Sequence, residues 1–144
     1  MPIKNYTTKV DPFVSLGKIQ GCLSSHGARK IMIDYDDAGE PSALIFVIEA
    51  PGIGEAGFQL SANIDSILAA ANKQKTKIDR KQAVRIAWRN IKDWVTAQME
   101  IIETGQASMD EVFLPYLCVE KGFNIYQAIK AGKVLLKKGS NNNV

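Results

Sequence analysis

The chain is poor in the residues from which small catalytic centres are usually assembled, with one histidine and two cysteines among 144 residues. Cys22 and Cys118 stand in unrelated contexts, without C-x-x-C spacing and without histidines to complete a zinc site. They read as buried free thiols in a reducing compartment, not as a disulfide or a metal site. His26 precedes Gly27 and has no serine, cysteine or carboxylate spaced as a triad requires; a helix C-terminus suits an imidazole for structural reasons alone. No apolar run approaches the ~20 residues of a membrane span, and residues 1–9 lack the apolar core of a secretion signal. These absences imply a cytoplasmic protein that is not an enzyme and takes no metal or cofactor. The 46% apolar and 23% charged composition is that of a globular chain. Its length implies a single domain, residues 1–136, followed by a disordered tail, 137–144, that contains three consecutive asparagines.

What is present is a polarity of charge along the chain. Residues 73–92 hold eight bases (Lys73, Lys75, Lys77, Arg80, Lys81, Arg85, Arg89 and Lys92) against one acid, Asp79, whereas residues 34–65 hold seven acids and no base. The net charge of +3 conceals that separation. The two segments could pair with each other, within one fold or across a homo-oligomer, or the basic one could meet an external anion.

The patterning indicates an α+β fold: a three-stranded antiparallel meander, with room for a fourth strand, packed by a long amphipathic helix and shorter ones. Asp11-Pro12 opens a helix whose apolar face would carry Phe13, Leu16, Ile19 and Leu23, ending at Gly27. Lys30–Tyr35 and Ser42–Ala50 form a hairpin around the acidic turn Asp36–Pro41, and a short strand follows at Phe58–Leu60. A helix begins near residues 61–63, and the longest one runs from an Asp79/Gln82 capping box to Gly105. Ser108/Glu111 and Asn124/Gln127 repeat the capping-box signal, and Tyr116–Val119 is the candidate fourth strand.

Two motifs dissolve on inspection. Gly52-Ile53-Gly54-Glu55-Ala56-Gly57 matches G-x-G-x-x-G, but the residues after it read as a strand, so no helix N-terminus would face a phosphate. Asp34, Asp36, Asp37 and Glu40 crowd a turn without the closing glutamate of a calcium loop.

On the long helix, Val84, Trp88, Ile91, Trp94, Val95, Ile101 and Ile102 share a broad apolar face at 100° per residue, with Lys81, Arg85, Arg89 and Lys92 on an adjacent stripe. Trp94 is expected in the core. Trp88, at the border, is either core or a platform on which a base could stack. Four cations near a helix N-terminus oppose its dipole and repel one another at i,i+4 spacing, a cost that suggests an anionic partner. The acidic hairpin and a phosphate backbone are both candidates.

Ala87-Trp88-Arg89, Lys92-Asp93-Trp94, Ala97-Gln98 and Glu111-Val112-Phe113-Leu114-Pro115-Tyr116, with His26-Gly27-Ala28 and Asn124-Ile125-Tyr126, resemble a family of small, mostly uncharacterised proteins of prophages and other mobile elements. The resemblance brings no catalytic residues. The meander followed by a helix also has an analogue, at the level of fold alone, in some phage single-strand annealing proteins. The leading expectation is a non-catalytic accessory protein binding nucleic acid, single-stranded for preference, through Lys73, Lys75, Lys77, Lys81, Arg85, Trp88, Arg89 and Lys92. The alternatives are a counter-defence protein that sequesters a nucleotide signal in a closed pocket, and a structural homo-oligomer.

Overall fold

A computed structural model describes residues 2–52, 54–120 and 123–132; the expected tail at 137–144 lies outside them. Helix α1 (Pro12–Ser25) starts as its sequence requires, with the Asp11 side chain accepting from the Phe13 N–H and proline in the first turn. Gly27, at φ +102°, then turns the chain into the sheet. Strands β1 (Lys30–Tyr35), β2 (Pro41–Ala50) and β3 (Gly54–Ser61) form an antiparallel sheet in the order β1-β2-β3. Helices α2 (Ile64–Lys73) and α3 (Arg80–Glu103) follow. The chain then forms a short α4 (Met109–Phe113), a 3-10 turn (Leu114–Tyr116), β4 (Cys118–Glu120), β5 (Phe123–Asn124) and α5 (Ile125–Lys130).

The core lies between the inner face of the sheet and the helices. Because strand side chains alternate, Leu44, Phe46 and Ile48 of β2 point inward together with their neighbours Ala56, Phe58 and Leu60 of β3. Phe46 stacks on Phe58 at 5.3 Å, and Phe113 meets Phe46 edge-on at 5.1 Å. Each such aromatic contact contributes ~0.5–1.5 kcal/mol beyond burial. Leu16, Ile19 and Leu23 of α1 join the same cluster as Val84, Ala87, Trp88, Val95 and Met99 of α3. Two of the three expected capping boxes, Ser108/Glu111 and Asn124/Gln127, form in full.

Several expectations need correcting. Phe13 does not face the core; it is 51% exposed, and Pro12 and Ser15 are buried instead. The buried set of α1 spans an arc centred roughly 100° from Phe13, so Phe13 shares the apolar periodicity without sharing the face. The third strand is longer than Phe58–Leu60 because Gly54–Gly57 already pairs with Val47–Ala50. Gly52 and Gly54 take positive φ in the β2–β3 turn, and, as the sequence indicated, a strand rather than a helix follows them. The Asp79/Gln82 box is only half made. Asp79 accepts from the Gln82 N–H, but the Gln82 amide is drawn away to the carbonyls of Tyr6 and Thr8. The fourth strand does not extend the meander either; β4 pairs with β5 and meets the sheet through one isolated bridge, Phe58 with Leu117.

Candidate nucleic-acid interface

The structure splits the basic stripe of α3 into a covered half and an open half. The cover is the N-terminal segment. Asn5, itself at φ +64°, donates to Asn90 Oδ1 at 2.9 Å and to Asp93 Oδ2 at 3.0 Å. Gln82 Nε2 donates to the carbonyls of Tyr6 and Thr8, and Arg89 Nη1 donates to the buried Thr8 hydroxyl at 2.8 Å. The Arg89 Nε is buried with no partner among the described residues, so this half-buried guanidinium is partly enclosed by the fold. Lys92 lies 2.7 Å from Asp93, and Lys4 reaches the same carboxylate at 3.2 Å. Arg89 and Lys92, expected to meet an external anion, are thus already engaged by the protein's own acceptors.

Burial by itself raises the pKa of Asp93, but hydrogen bonds from Lys92, Asn5 and Lys4 outweigh it and hold the carboxyl well below the usual carboxylate range. A depressed folded-state pKa contributes stability that is present above the ordinary value of 3.8 and is lost as pH falls through the folded value. Asp93→Asn should therefore lower stability at neutral pH and flatten the loss below pH 3.8, as read from urea midpoints along a pH series. An unchanged acid limb would mean that the cluster contributes nothing to folding.

Trp88 is a correction of a different kind. It is 0% exposed, and its indole Nε1 donates to the Pro41 carbonyl at 2.9 Å. No base can stack on it. Its meridian on α3 is shared by Val95 and Met99, which are also buried, so the border that the spacing suggested lies inside the core. Trp94 packs against that core but is only half-buried, edge-on to Phe113 at 5.6 Å and to Tyr116 at 5.7 Å.

The open half holds Lys81, exposed, and Arg85, half-buried and donating to Gln82 Oε1 at 3.0 Å. Together with Asp11, Pro12, Phe13 and Glu40 they line a cleft of about 160 Å³. Phe13 there faces Tyr35, with ring centroids 6.4 Å apart, and both rings are more than half exposed at 51% and 54%. Sequence spacing could not bring these four side chains together, since they come from α1, β1 and α3. No local signal marked them, since Phe13 fits the apolar periodicity of α1 as well as Leu16 does. Lys73, Lys75 and Lys77 are exposed on the segment from the end of α2 towards α3.

The acidic hairpin does find one base of the basic segment. Arg80 lies 3.0 Å from Asp65 and 3.7 Å from Asp36, and these carboxylates, through the Asp65 hydrogen bond first, raise its pKa. Asp36 also accepts the N–H groups of Ala38 and Glu40, which closes the β1–β2 turn around Gly39. Its oxygens are therefore committed to the turn and to Arg80. His26 is engaged too, its Nδ1 donating to the Cys22 carbonyl at 2.8 Å and its Nε2 3.2 Å from Glu103, so it ties the end of α1 to the end of α3. Cys22 and Cys118 are free and half-buried, and burial pushes the Cys118 thiol up. Among the described residues no group of three or more potential ligands is placed to hold a metal, and no helix is long and apolar enough to cross a membrane.

The fold and this site define an α+β protein with an exposed aromatic pair beside two cations. Comparison with family models, curated proteins and solved structures gives no match for the chain.

Proposed function

We propose that this protein binds single-stranded nucleic acid without catalysis, as an accessory protein of the mobile-element type that its sequence resembles. The observation that carries the reading is the pair Phe13 and Tyr35, exposed side by side, with Phe13 lining a cleft that also holds Lys81 and Arg85. Aromatic faces next to cations are what a single strand requires, because bases stack without regard to sequence while the backbone seeks positive charge. Lys73, Lys75 and Lys77 extend the positive surface along the chain, whereas Arg89 and Lys92 have little to offer a strand. Asp11 and Glu40 line the same cleft and would repel a phosphate placed against them, leaving the Lys81 and Arg85 side as the backbone track. A cleft of about 160 Å³ is small beside the roughly 300 Å³ or more of ordinary small-molecule pockets, which counts against nucleotide sequestration there.

Fluorescence anisotropy with labelled oligonucleotides of increasing length, at two salt concentrations, tests the proposal. Lys81→Ala and Arg85→Ala should weaken binding uniformly across sequences and lower the salt slope by up to about one unit each. Phe13→Ala and Tyr35→Ala should weaken binding by ~1–3 kcal/mol per lost stack, with Tyr35→Phe close to wild type. A folded protein that binds no oligonucleotide at low salt would end the reading. A mononucleotide that raises thermal stability, with no dependence of oligonucleotide affinity on length, would move it to the sequestration alternative.

A further inference from the structure

We infer that the free edge of β1 is a self-complementary strand that pairs with β1 of a second copy of this chain. β1 is the outer strand of the sheet, and β2 is the only element in extended contact with it among the described residues. Its backbone parity follows from the ladder. The Ala62 N–H donates to the Ser42 carbonyl, so the even residues of β2 bond β3 and its odd residues, Ala43, Ile45 and Val47, bond β1. Their partners are Asp34, Met32 and Lys30. The N–H and C=O groups of Ile31 and Ile33 consequently point away from the sheet, at an edge of the kind that templates strand addition.

An antiparallel copy centred on Met32 uses each of those groups. Ile31 of one strand then lies opposite Ile33 of the other, and both residues present the outward backbone that such a pair exchanges. Met32 meets its own symmetry mate at the two-fold axis, where side chains approach most closely. Lys30 falls opposite Asp34 on the same outer face, once on each side of the axis. Charges on an edge strand normally guard it against association. Here they are of opposite sign and equally spaced about Met32, so in this register they attract, while a slip of two residues in either direction sets Met32 opposite a charged residue, Lys30 or Asp34. Met32 is 57% exposed, which leaves an apolar side chain largely open at the centre of the seam. Among the described residues the ion pair of Lys30 is a long one, 3.9 Å to Glu55, with both side chains mostly exposed. The regular ladder ends between Asp34 and Tyr35, where Ser42 of β2 is an extra residue that raises the local twist, so the seam is drawn over residues 30–34. The product is a continuous sheet of two meanders, and it stands independently of nucleic-acid binding.

Sedimentation equilibrium on the full chain over a concentration series is the test. Wild type should show a monomer–dimer equilibrium. Met32→Lys should weaken it by roughly tenfold or more, because like charges then sit directly opposite each other. Lys30→Asp should weaken it as well, and the double swap with Asp34→Lys should restore it. Met32→Cys should give a reductant-sensitive covalent dimer under mild oxidation beyond any seen for wild type, since cross-strand neighbours at the axis lie within disulfide reach. All of these positions are exposed, so the variants should fold, which circular dichroism checks. A wild-type chain that stays monomeric throughout, or a dimer indifferent to Lys30→Asp, or a double swap that fails to restore association, overturns the inference.

Discussion

Replacing Trp88 by alanine should cost ~3–5 kcal/mol, the range for a fully buried aromatic side chain, and on a domain of this size that is a large part of the total stability. Two losses combine. The indole occupies buried space between α3 and the start of β2, in the same core cluster as Val84, Val95 and Met99, and its removal leaves a cavity that surrounding backbone cannot close. Its N–H is also the partner of the Pro41 carbonyl at the start of β2, a group whose burial makes an unmet acceptor expensive. Trp88→Phe separates the two, keeping most of the packing but not the hydrogen bond, and should cost ~1–3 kcal/mol. Denaturant unfolding gives both numbers. Neither variant should alter oligonucleotide affinity of the folded protein. A Trp88→Phe protein of wild-type stability with weakened binding would return this residue to the interface.

The second large effect is expected at Arg89, and it runs against the arithmetic of the stripe. From spacing alone, removing one of four neighbouring cations should relieve repulsion and leave the fold intact. The structure gives Arg89 a hydrogen bond to the buried Thr8 hydroxyl and encloses its Nε, so Arg89→Ala should destabilise by ~1.5–3 kcal/mol, as for hydrogen bonds to charged groups. Arg85→Ala, whose partner is a neighbouring glutamine on the same helix, should stay within about 0.5 kcal/mol of wild type. A double-mutant cycle of Arg89→Ala with Thr8→Val should show coupling of roughly 0.5 kcal/mol or more, because each group is the other's partner. The binding assay should order the pair oppositely, with Arg85→Ala weakening oligonucleotide binding and Arg89→Ala acting only through stability. A neutral Arg89→Ala with reduced affinity would show that the N-terminal segment does not cover this arginine in solution.

These two residues also mark where reading the chain as a line stops being sufficient. Elements whose signals are local were legible in it: the Asp11-Pro12 helix start, the hairpin around the acidic turn, the long helix ending before Gly105, and the capping boxes at Ser108 and Asn124. Each depends on contacts between residues a few positions apart, and the chain specifies those contacts before any tertiary packing forms. The strength of the basic segment was legible too, since charge is counted rather than folded.

What the tertiary structure alone decided is which side of each element meets something else. Helical spacing put Trp88 at a boundary, but Met99, three turns on and near the same meridian, shows that the boundary lies inside the core. It put Arg89 and Lys92 in line with Lys81 and Arg85, yet residues 4–8 lie across the first two and leave the latter open. It counted Phe13 with Leu16, while α1 turns Phe13 outward to meet Tyr35, over twenty positions away. Periodicity assigns a residue its angle about an element, and an angle becomes burial, pairing or exposure only when other segments dock against it. Those docking partners lie tens of residues distant in sequence, where no local signal reaches.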